Sequence, residues 1–218
     1  VFAISEEDAA SFVVDIGTQA IKILKIPVDD KEKRKVELQT LLEEKFAMPF
    51  IAKLILGKRI FNSISKEKFE SYSQAFKLHI VNIYSSQLGT YNGQKFTVKS
   101  TEIKKKDAYV NSTIAAPDFP TINILWRVRD FKGGLKVIDI ALEGVSLLRT
   151  KRNDFTAILE SQGIDGLIIT LWFVFLIYIN YHVKSGGLIK KSDWVMGFSK
   201  YLVWFSHIRF VDQVRLSN

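Results

Sequence analysis

Cysteine is absent from the chain, which excludes structural disulfides, thiolate metal sites and cysteine nucleophiles and leaves the redox compartment open. Histidine is scarce: His79, His182 and His207 stand far apart, and no two fall at a spacing that would put two metal ligands on one helical face. The sequence also lacks a glycine loop of the Walker or dinucleotide type that could cradle a phosphate, any internal repeat and any low-complexity segment. On this inventory no cofactor and no metal are expected, and an enzymatic reading has little to stand on.

What the chain does have is apolar bulk and positive charge. With 47% hydrophobic and 12% aromatic residues among 218, it can bury a sizeable core as one domain with an elaboration, which excludes a disordered chain. A formal charge of +8 draws anionic partners, whether lipid headgroups, an acidic protein face or nucleic acid. Nucleic-acid binding calls for exposed aromatics interleaved with Arg and Lys on one face. Here the aromatics fall at buried spacing, so no nucleic acid is expected. The one dense basic run, Lys104-Lys105-Lys106, reads either as a solvated turn between strands or as a docking patch for an anionic partner.

The order of elements predicts an α+β fold. Ser5-Glu6-Glu7-Asp8 has the form of a capping box, and apolar residues then recur at helical spacing to about Ile26. Asp29-Asp30 can cap a second helix toward Phe46, with Leu38, Leu41, Leu42 and Phe46 inward. Pro49 opens a short third helix closed at Gly57, and Ser65 caps a long fourth one that ends near Gly89. The period then changes to that of strands over Lys95–Lys104, Ala108–Ala115, Ile122–Arg129 and Leu135–Leu142. These predict a four-stranded, mostly antiparallel sheet, crossed by a C-terminal helix from about Ser146 to Gln162 that Gly163 stops.

Asp139 and Glu143 attract attention as a possible acid and base pair. Residues i and i+4 of one strand lie about 13 Å apart on the face opposite Ile138, Ile140 and Leu142, too far even for an inverting glycosidase. A structural role is expected instead, as a salt bridge to Arg149 or Arg152 or as a cap for the following helix. The feature with functional content is large apolar residues on elements that face one another. Tyr72, Phe76, Ile80 and Tyr84 on the fourth helix, with Phe155 and Leu159 on the last one, face a sheet carrying Ile114, Trp126, Val128, Ile138 and Ile140. Periodicity leaves two readings open: a filled core, or an elongated apolar cavity under a curved sheet.

The string Val-Ile-Asp-Ile-Ala-Leu-Glu-Gly-Val-Ser-Leu-Leu (137–148), followed by Arg152-Asn153-Asp154-Phe155 and Gly163-Ile164-Asp165-Gly166-Leu167-Ile168, resembles the signature of the MlaC (toluene-tolerance auxiliary) family. The resemblance covers roughly Glu7 to Leu171, with further matches at Phe46, Phe50-Ile51-Ala52, Leu56-Gly57, Phe69, Phe76 and Tyr84. It departs at Ala47, where an acidic residue is common, and at Ile60 or Phe61 and Leu135, where tryptophans are. The resemblance implies a non-enzymatic periplasmic carrier that holds a phospholipid by its tails and moves it between an outer-membrane lipoprotein complex and the substrate-binding subunit of an inner-membrane ABC transporter. It makes Tyr72, Phe76, Ile80, Tyr84, Val128, Ile138, Ile140, Phe155 and Leu159 the expected lining of the lipid site. The Lys104 to Lys106 run has as its sharper reading a docking patch for anionic lipid or a transporter subunit, and Val1-Phe2-Ala3, with small residues at the two positions a signal peptidase reads, is expected to be the end of an export signal or a chance match.

Residues 1–171 are thus expected to form the lipid-binding domain and 172–218 an atypical hydrophobic and aromatic extension. An apolar run, Leu167 to Ile179, crosses from the domain into the extension, and Asn180 and His182 interrupt it before the roughly 20 residues a membrane span needs. A second aromatic stretch follows at Trp194, Phe198, Tyr201, Trp204 and Phe205. The run reads as a core element, an interfacial anchor or a span. The competing functional reading is a structural or interaction module held at a membrane by this aromatic tail. A hydrolase on the same fold lacks an acid and base pair.

Overall fold

In the computed structural model, which describes residues 4–117 and 119–184, each of the first, second and fourth helices begins at a side-chain cap that the sequence announces. Ser5 Oγ accepts from Asp8 N at 3.0 Å ahead of α1 (Glu6–Leu24), Asp30 from Lys33 N at 3.2 Å ahead of α2 (Lys31–Lys45), and Ser65 from Lys68 N at 3.2 Å ahead of α4 (Lys66–Gln87). Each cap satisfies one of the N–H groups that a helix start leaves without a partner. Between the last two lies α3 (Met48–Ser63).

The third helix corrects one expectation. Gly57 does break its geometry, at φ 75° and ψ 162°, yet the chain resumes helical form to Ser63. The break has a partner: a β-carbon at Gly57 would lie 2.7 Å from Arg152 Nη2. The turn beyond it is held by Phe61, which meets the edge of Phe69 at 5.0 Å between ring centroids.

Five strands in chain order make an antiparallel sheet: β1 (Lys95–Lys104), β2 (Asp107–Ala116), β3 (Phe119–Phe131), β4 (Gly134–Leu142) and β5 (Val145–Ser146). The two-residue β5, which pairs with Ala141 and Leu142, is the strand absent from the four-stranded expectation. Lys105 and Lys106 form the β1–β2 turn. The inner face carries Ala108, Val110, Ile124, Trp126 and Val128, and the buried Trp126 indole donates to Ser112 Oγ at 2.8 Å. On the other face Asp107 receives both Arg127 and Arg129, and Phe50 of α3 meets the Phe131 ring edge-on. Close approach of α1 to the sheet depends on Gly17, whose missing side chain leaves room for the Phe96 ring. That ring in turn meets Trp126 edge-on at 6.2 Å.

Strict alternation fails on β4. Arg127 pairs with Asp139 and Val128 with Val137, so Ile138 is an extra, bulged residue, and Val137 and Ile138 are both fully buried. A bulge bends its strand and re-aims the side chains after it. Glu143 lies beyond the strand end, in the turn before β5 at φ 47°, and accepts from the backbone N–H and the side chain of Asn123.

The last helix, α5 (Leu147–Lys184), also runs on where a stop was expected. Gly163 leaves helical geometry at φ 67°, but the helix continues, and Leu167 and Leu171 beyond it are buried. Phe155 packs on the α4 residues Phe76 and His79, and Asp165 pairs with Lys68 at 2.9 Å. The chain divides into two units, Val1–Phe175 and Leu176–Asn218; all contacts above belong to the first. In that unit Leu147–Val174 is long and apolar enough to cross a membrane by length and composition, with Ile169, Trp172 and Phe173 exposed. The aromatic stretch Trp194 to Phe205, His207 and Val1 to Ala3 lie outside the described residues.

Candidate functional site

Where α2 ends, the chain is tied to the free side of β4. Ala47 N donates to Val137 O at 3.0 Å and Phe46 bridges Val137 in parallel fashion, while β5 covers only the last two residues of the strand. Between these two attachments the helices stand off from β4 and leave an apolar cavity of about 190 Å³. Leu38 and Leu42 of α2, then Phe46, form one wall, and Met48, Ile51 and Ile55 of α3 the next. Phe76, Ile80 and Tyr84 of α4 line it together with Ile138, Asp139 and Ile140 of β4, and Leu147, Leu148 and Lys151 of α5 complete the lining.

Of the nine residues expected to line a lipid site, Phe76, Ile80, Tyr84, Ile138 and Ile140 border this cavity. The other four are placed elsewhere. Tyr72 is packed between Phe69 and Phe76, with ring centroids at 6.4 and 6.0 Å, and is a filled part of the core. Val128 is fully buried on the inner face of β3, Phe155 sits edge-on against Phe76, and Leu159 is half-buried against the core. In exchange the cavity takes its second half from Leu38 and Leu42 of α2 and Phe46 after it, which the sequence reading marked as inward-facing without assigning them to a site, and from α3, for which it named no inward face. The signal was Leu38, Leu42 and Phe46 at intervals of four.

Three ionisable groups reach the lining. Asp139 is fully engaged as the cap of α5: Oδ1 accepts from Leu148 N at 3.0 Å and Oδ2 from Ser146 Oγ at 2.6 Å. This is one of the structural roles expected of it. Burial, and secondarily the Asp154 carboxylate, push the Tyr84 hydroxyl up to about 12, so it is a neutral phenol. Lys151 pairs with Asp154 at 3.3 Å, and its side chain is only 13% exposed. Just outside the lining, burial with help from the Lys151 charge pushes the His79 imidazole down to about 3, and its Nδ1 has no partner.

This arrangement offers no nucleophile beside a base, and no group of three His, Cys, Asp or Glu that could hold a metal occurs among the described residues. It offers desolvation. Each methylene buried here is worth about 0.8 kcal/mol. The volume sets a limit, since a cavity of about 150 Å³ suits a ligand of benzene size. The observed 190 Å³ therefore matches one segment of a hydrocarbon tail and is well short of two full acyl chains.

The curated intermembrane phospholipid transport system binding protein MlaC of Haemophilus influenzae is 28% identical over 130 residues, covering 56% of this chain. The match spans 61% of that relative's length. Among solved structures, the phospholipid-binding protein of Ralstonia solanacearum, determined in complex with a phospholipid, superposes with a TM-score of 0.69 at 20% identity. That superposition covers 79% of this chain and 99% of the other, and establishes the fold. The family model described as MlaC protein matches residues 15–172, a span that takes in every wall of the cavity, and the chain belongs to the MlaC family.

Proposed function

We propose that this chain is a non-enzymatic phospholipid carrier of the periplasm, which seats acyl tail in the cavity between α2, α3, α4, β4 and the start of α5. The observation that carries the reading is an apolar cavity lined by facing elements in a member of the MlaC family. Support comes from the similar H. influenzae protein, named as a phospholipid transport binding protein, and from the R. solanacearum fold, solved with phospholipid bound. In this reading Phe76, Ile80, Tyr84, Ile138 and Ile140 contact the tail, joined by Leu38, Leu42, Phe46, Met48, Ile51, Ile55, Leu147 and Leu148. The carrier moves lipid between an outer-membrane lipoprotein complex and the substrate-binding subunit of an inner-membrane ABC transporter, and the energy comes from the transporter. Native mass spectrometry of protein purified from its cell envelope tests the reading. Co-purifying phospholipid is the expected result, and a chain that carries no amphiphile counts against it.

One observation favours a second reading, membrane attachment through the C-terminal part. Ile169, Trp172 and Phe173 are exposed on a segment with a mean hydropathy of 1.4. Truncation after Leu171 separates the two: a tethered interaction module loses membrane association, whereas a carrier keeps its lipid.

A further inference from the structure

The cavity wall is apolar except at one end, where α5 begins. There Asp139 accepts from Ser146 and Leu148, and Lys151 supplies the positive charge of the lining. Lys151 has a side chain 13% exposed and, as its partner among the described residues, Asp154 on the same helix at 3.3 Å. That contact is long for a charge-assisted hydrogen bond, which closes to about 2.7–2.9 Å, and it leaves other donors of the ammonium unused. A cation this far out of water is costly until a well-placed oxygen anion meets it. An amphiphile whose hydrocarbon tail lies along Ile80, Tyr84 and Ile140 brings such an anion to the end of the apolar space where Lys151 stands.

We propose that Lys151 is the specificity-determining residue of this cavity: its ammonium receives the anionic group of an amphiphile whose tail occupies the apolar space. The proposal rests on the carrier reading above. Two lipids present the same chemistry, the phosphodiester of a phospholipid and the carboxylate of a free fatty acid. A chain-matched neutral lipid presents only the tail. Asp154 acts as the internal competitor that the anion displaces.

The test uses the full chain, delipidated and offered four ligands in detergent: phosphatidylglycerol, the chain-matched diacylglycerol, palmitate and palmityl alcohol. Bound fractions are read by native mass spectrometry. The wild type is expected to favour an anionic member over its neutral partner by about tenfold, the scale of one hydrogen bond to a charged group. A preference confined to the first pair assigns the phosphodiester, and one confined to the second assigns the carboxylate. Lys151→Met is expected to bring the ratio near parity and Lys151→Arg to keep it. Asp154→Asn, which frees the cation without removing it, raises the ratio and serves if the Met variant does not fold. A wild-type ratio surviving in Lys151→Met, or an unchanged or lowered ratio in Asp154→Asn, overturns the assignment while leaving the carrier reading intact. A wild type that binds none of the four overturns both.

Discussion

Asp139 of β4 accepts the Leu148 backbone N–H at 3.0 Å, so the strand that floors the cavity also caps the helix that closes it. Its other oxygen takes the Ser146 hydroxyl, which in turn accepts from Arg149 N at 3.1 Å. Removing this cap releases the turn that carries Leu147, Leu148 and Lys151. Asp139→Ala is therefore expected to cost about 1–2 kcal/mol of stability. Asp139→Asn, which keeps an acceptor, costs less. Urea unfolding of the three proteins checks the order, and an Ala variant as stable as the wild type contradicts it.

Asp107 sets an acid limit on stability. Burial alone would raise its carboxyl, but hydrogen bonds from Arg129 and Arg127 overturn that and hold it below the usual carboxylate range. Because the folded value lies under the unfolded one of about 3.9, the contribution is complete above pH 4 and disappears as pH falls through the folded value. Asp107→Asn should cost roughly 2–3 kcal/mol at pH 7, toward the lower end for a broken buried pair because Arg127 is partly exposed. The gap between the two proteins should close on acidification, as followed by denaturant melts from pH 7 to 2.5. A gap that stays constant refutes the assignment.

Caps, strand spans and the basic turn were legible because each depends on neighbours in the chain. Ser5, Asp30 and Ser65 act within three residues, and Lys104 to Lys106 turn one hairpin. Gly57 and Gly163 were read as stops for the same local reason, and both do leave helical geometry. What resumes each helix is distant: Phe61 finds Phe69, and Leu167 and Leu171 find the core. The Ile138 bulge was not read from the sequence, although the adjacent apolar pair Val137-Ile138 already interrupts the alternation. The site was legible as a set of inward faces and not as a hollow. Tyr72 and Phe76 are successive members of one stripe, and only the position of Phe69 fills the space around the first.

His79 should make stability rise with pH between its folded and unfolded values, a range that overlaps carboxylate titration at its acid end. Burial holds its imidazole near 3, against about 6.5 in the unfolded chain, so between these values the unfolded state binds the extra proton. Its contribution is full above about pH 6.5 and declines as the solution is acidified toward the folded value. His79→Leu also removes an unpartnered buried Nδ1. The variant is expected to flatten the stability profile between pH 6.5 and 4, measured by thermal melts in matched buffers. A profile parallel to the wild type's speaks against a buried neutral imidazole.

Two substitutions on α4 separate the hollow from the core beside it. Ile80 faces the cavity, so Ile80→Phe puts a ring into empty space and excludes tail. Acyl-ligand binding should fall about tenfold, equivalent to about 1.4 kcal/mol, while the melting temperature stays level or rises. Tyr72 is fully buried two turns earlier, and its hydroxyl has no partner. Tyr72→Phe removes a desolvated polar atom without changing the packing of the ring against Phe69 and Phe76, and should stabilise by about 1 kcal/mol with binding unchanged. Fluorescent fatty-acyl titration and urea unfolding on both variants read the two effects independently. If Tyr72→Phe weakened binding as much as Ile80→Phe, the ligand would have to occupy the core rather than the cavity.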